Sequence, residues 1–220
     1  MADDLVLTIG EKNVSSWSMR AYLALAVKNL SFEEQTIALM EDRDRSRRLA
    51  VSPVGTVPVL RHGDLVIPDS LAIFEYLEEA FPPPAYPALW PADPSRRAHA
   101  RWLSATMHSS FTTLRGDMSF NLCFLAQPPS VSAVALSEAA HILSLWESAL
   151  NRPERDGPFL FGPFGGVDAM FAPAVVRLRA FKVPTADTPK SAKYMEAVLE
   201  NPLVRRWMDA ARALPPVAVE

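Results

Sequence analysis

Cysteine, glycine and net charge are all scarce in this sequence. Its 220 residues contain a single cysteine, Cys123. One thiol excludes an intramolecular disulfide, a CxxC redox pair and a thiolate-rich zinc site, so a reducing compartment, the cytoplasm, is expected. The eight glycines form neither GxGxxG nor GxxxxGKS/T, which argues against ordinary dinucleotide and P-loop phosphate sites. The four histidines, His62, His99, His108 and His141, make no HExxH pair, and no metal is expected. No run approaches the roughly 18 apolar residues of a membrane span. Met1-Ala2-Asp3-Asp4 is acidic where a secretory signal would be basic. With 22 basic against 25 acidic residues, the net charge of −3 offers no strong attraction to nucleic acid or to an anionic membrane.

What is abundant is apolar surface and proline. Hydrophobic residues are 49% of the chain and charged residues 21%, enough for a sizeable core, and the length suits two compact units. Leu5 to Ile9 is apolar on both faces, the pattern of a central strand. Ser15-Ser16 can cap a helix from about Trp17 to Asn29. Phe32 to Leu39 reads as a second strand, and the charged run Glu41 to Arg48 as a short exposed helix or loop. Val57-Pro58-Val59-Leu60 and Leu65-Val66-Ile67 make a hairpin around Gly63. Ser70 to Phe81 is a helix with Asp69 or Ser70 at its cap and Leu71, Phe74, Leu77 and Phe81 on one face.

Proline is concentrated in residues 82–94, which predicts an extended, semi-rigid linker. Beyond it the spacing is helical throughout: Ser95 to about Leu125, Ser132 to Leu150, Val167 to Phe181, Pro189 to Glu200 and Pro202 to Leu214. The expected organisation is an α/β unit of thioredoxin-like type over residues 1–81, the linker, and an all-α unit over residues 95–220.

Four segments in order resemble the cytosolic glutathione transferases. Ser15-Ser16-Trp17-Ser18-Met19-Arg20 is similar to the SSCSWR segment of the zeta class. Ser52-Pro53-Val54-Gly55-Thr56-Val57-Pro58-Val59-Leu60 is similar to NPxxxVPxL. Pro68-Asp69-Ser70-Leu71-Ala72-Ile73-Phe74-Glu75-Tyr76-Leu77 is similar to (Q/E)SxAIxxYL. Phe164-Gly165-Gly166-Val167-Asp168-Ala169 resembles FSxAD, with Gly165 at the cap and Asp168 as a folding element rather than a catalytic one.

The resemblance implies an enzyme that binds glutathione and activates its thiol for conjugation to, or reduction of, a small electrophile. A free thiol has a pKa of about 8.5. A serine hydroxyl at a helix N-terminus favours the anion. Alignment favours Ser15 for that hydroxyl, with Ser16 the alternative; both also read as plain helix caps. Val57, before a cis Pro58, is implied to pair with the cysteinyl backbone like an added strand. Asp69 and Ser70 are implied at the γ-glutamyl end, Arg43 or Arg47 at the glycyl carboxylate, and Trp17 beside the thiol. Met107, His108, Phe111 and Arg115 recur at spacings of three and four and are expected to face the second substrate.

The resemblance further implies a homodimer, with no metal, nucleic-acid or membrane partner. Two other readings stay open: an isomerase of maleylacetoacetate type, and a binding protein that retains the fold without catalysis. Against the isomerase, Trp17 replaces the motif's cysteine and Ala180 stands where those isomerases carry an arginine; Arg177 and Arg179 lie one turn away.

Overall fold

The first strand, β1 (Leu5–Gly10), is buried along its whole length, as two apolar faces require. It pairs in parallel with β2 (Glu33–Ile37) and antiparallel with β3 (Val59–His62), which continues antiparallel into β4 (Leu65–Ile67). The sheet order is therefore β2-β1-β3-β4, with Leu7 facing Glu34 on one side and Leu60 on the other. The structure is a computed structural model that describes residues 4–39, 44–153 and 156–215, with Asp44 and Arg45 described by backbone alone. At the edge, β2 is largely exposed, which suits its glutamates and shortens it relative to the strand expected from Phe32 to Leu39.

Three helices accompany the sheet. Helix α1 (Ser16–Val27) buries Met19, Ala21, Leu23, Ala24 and Leu25, so both of its apolar lines are covered. It ends at Lys28, and Asn29 takes the left-handed conformation that asparagine tolerates. Helix α2 (Asp44–Val51) is short. Helix α3 (Ser70–Ala80) buries Ile73, Phe74 and Leu77, with Leu71 only partly covered.

The remaining elements are helical: α4 (Pro94–Ser109), α5 (Thr112–Asp117), α6 (Ala133–Leu150), α7 (Gly166–Ala180), α8 (Pro189–Glu200) and α9 (Pro202–Arg212). The single helix expected from Ser95 to Leu125 is thus broken into α4, α5 and a 3-10 turn over Phe120–Phe124. Ser110 is extended, Phe111 has φ of 61°, and the Arg115 guanidinium donates to the Met107 and His108 carbonyls at 3.2 Å. A side chain thereby supplies donors that the interrupted backbone no longer provides.

Helix α7 is central, buried from Gly166 to Leu178, and packs against α1, α4 and α8. Its start explains the two glycines. Gly166 N–H donates to the Leu89 carbonyl at 2.7 Å, and a Cβ at Gly166 would lie 2.9 Å from the Trp90 ring. A Cβ at Gly165 would lie 3.0 Å from that same carbonyl. Close approach of residues 82–93 therefore displaces the usual serine cap, and Leu89 and Trp90 are themselves buried.

Asp168 completes the other half of the cap. Its oxygens accept the Gly165 N–H at 2.9 Å and the Leu160 N–H at 3.1 Å. Burial nevertheless pushes its carboxyl up to about 6, because desolvation of the charge outweighs those donors. A folded-state value above the unfolded one favours folding below about pH 4, and that contribution is lost as pH rises through about 6. Relative to Asp168→Asn, the native protein is expected to lose on the order of 2 kcal/mol of unfolding free energy between about pH 4 and pH 7. Urea titration at each pH measures the difference, and a flat difference would contradict the assignment.

Candidate functional site

The site is built where β1 hands over to α1. Gly10 closes the strand with no room for a side chain, since a Cβ there would meet the Leu39 side chain and lie 3.0 Å from Ser15 Cβ. Ser15 is the N-cap of α1, with φ −92° and ψ 91°, and its Oγ accepts the Ser18 N–H at 3.3 Å. The Ser15 and Ser18 hydroxyls lie 2.7 Å apart, and Ser18 Oγ also accepts the Gly10 N–H at 3.1 Å. The Ser15 hydroxyl is thus part of a capping pair. Ser16, one residue on, turns the other way. Its Oγ accepts a hydrogen bond of 3.0 Å from Arg177 Nη2 on α7.

Around this turn the structure gathers residues from four elements. The Trp17 ring carries the Arg20 guanidinium carbon at 4.4 Å from its centroid and that of Arg115 at 5.2 Å. His108, on α4, meets Trp17 edge-on with centroids 5.1 Å apart, and its Nε2 is 3.4 Å from Asp69 Oδ2. Asp69 caps α3 through Oδ1, which accepts the Ala72 N–H at 2.8 Å. Ser70 opens that helix with a buried hydroxyl that has no hydrogen-bond partner among the described residues.

The other expected residues divide. The Val57-Pro58 peptide is cis, with Val57 half-buried and Pro58 buried. Met107 lies wholly inside the core, and Phe111 is buried edge-on to His141 at 5.7 Å. The break at Phe111 interrupts the three-four spacing, leaving His108 and Arg115 beside Trp17 while Met107 and Phe111 turn inward. Arg43 lies outside the described residues. Arg48 donates to the Ala38 carbonyl at 3.4 Å, and Arg47 is also engaged.

Electrostatically the site is dominated by guanidinium groups. Arg20 is 1% exposed, its Nε and Nη1 have no hydrogen-bond partner among the described residues, and burial beside Arg177 and Arg115 lowers it to about 9. Arg177 is lowered to about 10, mainly by burial, with Arg115 adding to the effect. Arg115 is lowered by burial against the pull of Glu138. All three stay charged at neutral pH. His108 is lowered by burial, with Arg20 and Arg115 opposing Asp69, and is neutral at pH 7. Burial pushes the Cys123 thiol up to about 11, so it is no nucleophile. Among the described residues no group of His, Cys, Asp and Glu could hold a metal ion. No described helix is long and apolar enough to cross a membrane.

Such an arrangement can hold a small anion, or an anionic sulfur, at the start of α1. Two of its members are poorly marked in the sequence. Arg20 closes the six-residue motif but reads as an ordinary helical arginine. Arg177 is signalled only by lying three residues before Ala180, a single turn of α7.

Residues 11–85 match the family described as the N-terminal domain of glutathione S-transferase. A probable maleylacetoacetate isomerase of Caenorhabditis elegans is 40% identical over 100 residues, which are 46% of this chain and 45% of that protein. The maleylacetoacetate isomerase of Rattus norvegicus is 30% identical over 191 residues, 84% of each chain. A glutathione transferase homologue from Burkholderia, solved with bound glutathione, superimposes with a TM-score of 0.70 at 31% identity, over 96% of this chain and 98% of that one. The match to the rat protein over 84% of the chain, with the superposition on the Burkholderia structure over 96% of it, establishes that the chain belongs to the glutathione S-transferase family.

Proposed function

We propose that this protein is a glutathione transferase that makes the glutathione thiol anionic and offers it to a small electrophile, such as an activated aromatic or an organic hydroperoxide. The observation that carries the reading is the Ser16 hydroxyl, in the first turn of α1 and bonded to a buried guanidinium. Glutathione supplies a sulfur nucleophile whose electron pair forms the new bond, while the leaving group departs with its own pair and the thiol proton passes to water. Everything else is the task of this chain. Ser16 donates its hydroxyl proton toward the sulfur, and the free N–H groups and dipole at the start of α1 add to the field. Ser15 Oγ accepts the Ser18 N–H and shares a 2.7 Å contact with the Ser18 hydroxyl in which either can donate, and we assign it the cap and Ser16 the donor.

For the rest of the tripeptide, the Val57 backbone is the edge for the cysteinyl unit. The partnerless Ser70 hydroxyl suits the γ-glutamyl carboxylate, and Asp69 its ammonium. Arg43 is the residue for the glycyl carboxylate. Trp17, His108 and Arg115 border the second substrate, with Met107 and Phe111 packed behind them. The cytoplasm is the compartment we propose, since a single cysteine makes no use of an oxidising one.

A second reading, isomerisation of maleylacetoacetate type, is favoured by the rat and nematode relatives and by half-buried Arg115, which can meet a substrate carboxylate beside Trp17. Parallel assays of conjugation, peroxide reduction and isomerisation with glutathione separate the two.

Ser16→Ala is expected to lose about 10²-fold or more in kcat/KM for conjugation while glutathione affinity changes little. Full activity in Ser16→Ala would remove the assignment. Ser15→Ala is expected to lower unfolding free energy by about 1 kcal/mol through loss of the cap, measured by urea titration.

A homodimer is the assembly we propose. Leu65 and Val66 on edge strand β4 and Trp102 on α4, 53% exposed, are large apolar side chains turned to solvent. Light scattering is expected to give a dimeric mass for the native chain and a monomeric one for Trp102→Glu.

A further inference from the structure

We infer that Arg177 is a positioning residue for thiolate formation: its guanidinium fixes the Ser16 hydroxyl as a donor and passes positive charge through it to the sulfur. This rests on the glutathione transferase reading and deepens it by assigning the source of the acidifying field.

The geometry carries the argument. A guanidinium has donors and no acceptor, so in the 3.0 Å contact Ser16 Oγ must accept. The hydroxyl proton is then directed elsewhere, and it has no other protein partner among the described residues. Ser16 is consequently an oriented donor with a cation behind it, where an ordinary cap serine has a freely rotating proton. Arg177 is itself held in place. Nε donates to the Met118 carbonyl at 2.8 Å, Nη1 to the Pro173 carbonyl at 3.4 Å, and the group lies 5.3 Å from the Phe120 ring centroid. It is 3% exposed and forms no ion pair among the described residues. A buried cation satisfied only by neutral acceptors retains its charge for an anion brought to Ser16, and a chain of two such hydrogen bonds strengthens cooperatively.

The charged and titratable groups facing this pair are Arg20 on α1, Arg115 on α5, Cys123 on the 3-10 turn, and His108 and Asp69 beside Trp17. Cys123 is held neutral by burial, and His108 is neutral at pH 7. Arg20 and Arg115 add to the positive field, and Asp69 opposes it. Among the described residues none of these groups hydrogen-bonds a hydroxyl of the Ser15–Ser18 segment, whereas Arg177 does.

The test is ultraviolet titration of thiolate absorbance in the glutathione-loaded protein, together with the pH profile of kcat/KM. In the native protein the bound thiol should ionise below its free value. Arg177→Met should raise that pKa by about 1–2, the range of a nearby opposite charge, and Ser16→Ala should raise it similarly. Because Arg177 acts through Ser16, the double variant should shift no further than Ser16→Ala alone. Should Arg177→Met fail to fold, Arg177→Gln keeps hydrogen-bond donors for Met118 and Pro173 without the charge, and should show the same rise. An unmoved pKa in Arg177→Gln or Arg177→Met, or an additive shift in the double variant, overturns this inference while leaving the transferase reading intact. A native thiol that ionises no more readily than free glutathione, or no glutathione binding at all, overturns both.

Discussion

A buried cation at the meeting of α1 and α7 is the constraint around which the site is organised. Removing a guanidinium from water is costly unless its donors are met. Arg177 meets them with the Met118 and Pro173 carbonyls and the Ser16 hydroxyl. Those acceptors come from the C-cap of α5, from α7 itself and from the first turn of α1. The position of the guanidinium therefore depends on three separate parts of the chain being in register.

The far end of α7 is fixed by a different chain of contacts. Buried Lys28 pairs with Glu78 and donates to the Phe81 carbonyl at 2.9 Å. Glu78 accepts the Leu89 N–H at 2.9 Å, and the Leu89 carbonyl accepts from Gly166 at 2.7 Å. Each step joins a different element: the end of α1, the end of α3, the proline-rich segment and the start of α7. From Gly166 to Arg177 is eleven residues, about 16 Å of helix. Helix α7 thus spans from a clamp on the segment before α4 to a bond on the first turn of α1. Its all-round burial leaves no solvated face along which it could shift.

Periodicity and caps revealed most of this frame. The all-apolar run at Leu5 announced a central strand, and the pairs Ser15-Ser16 and Asp69-Ser70 marked helix starts, at which the structure places Ser15 and Asp69 as the caps. Resemblance supplied the family, and the physics of a helix N-terminus supplied its chemistry. What escaped was decided by contacts distant in sequence. The α4–α5 break depends on Phe111 adopting a left-handed conformation and on Arg115 folding back, neither of which apolar spacing encodes. That break is also why Met107 and Phe111 lie in the core while His108 and Arg115 border the site. The proline-rich segment reads as a spacer, yet Leu89 and Trp90 are buried against glycines more than seventy positions away. Arg177 and Ser16 stand 161 residues apart, and no local pattern connects them.

The distribution of charge has a consequence for selectivity. The whole chain is acidic at −3, yet among the described residues the carboxylates that act on these three guanidinium groups are those of Asp69 and Glu138. Each of those carboxylates is also engaged with backbone, Asp69 on Ala72 and Glu138 on Leu114 at 2.7 Å. His108 cannot restore balance or worsen it near neutrality, because burial and two neighbouring arginines keep its proton off despite Asp69. The site therefore carries surplus positive charge in surroundings too dry for water to screen it fully. An incoming anion relieves that surplus, and a cation of the same shape would add to it. Discrimination by charge at the start of α1 is thus a consequence of the fold, which favours an anionic group there over a cationic one of the same shape.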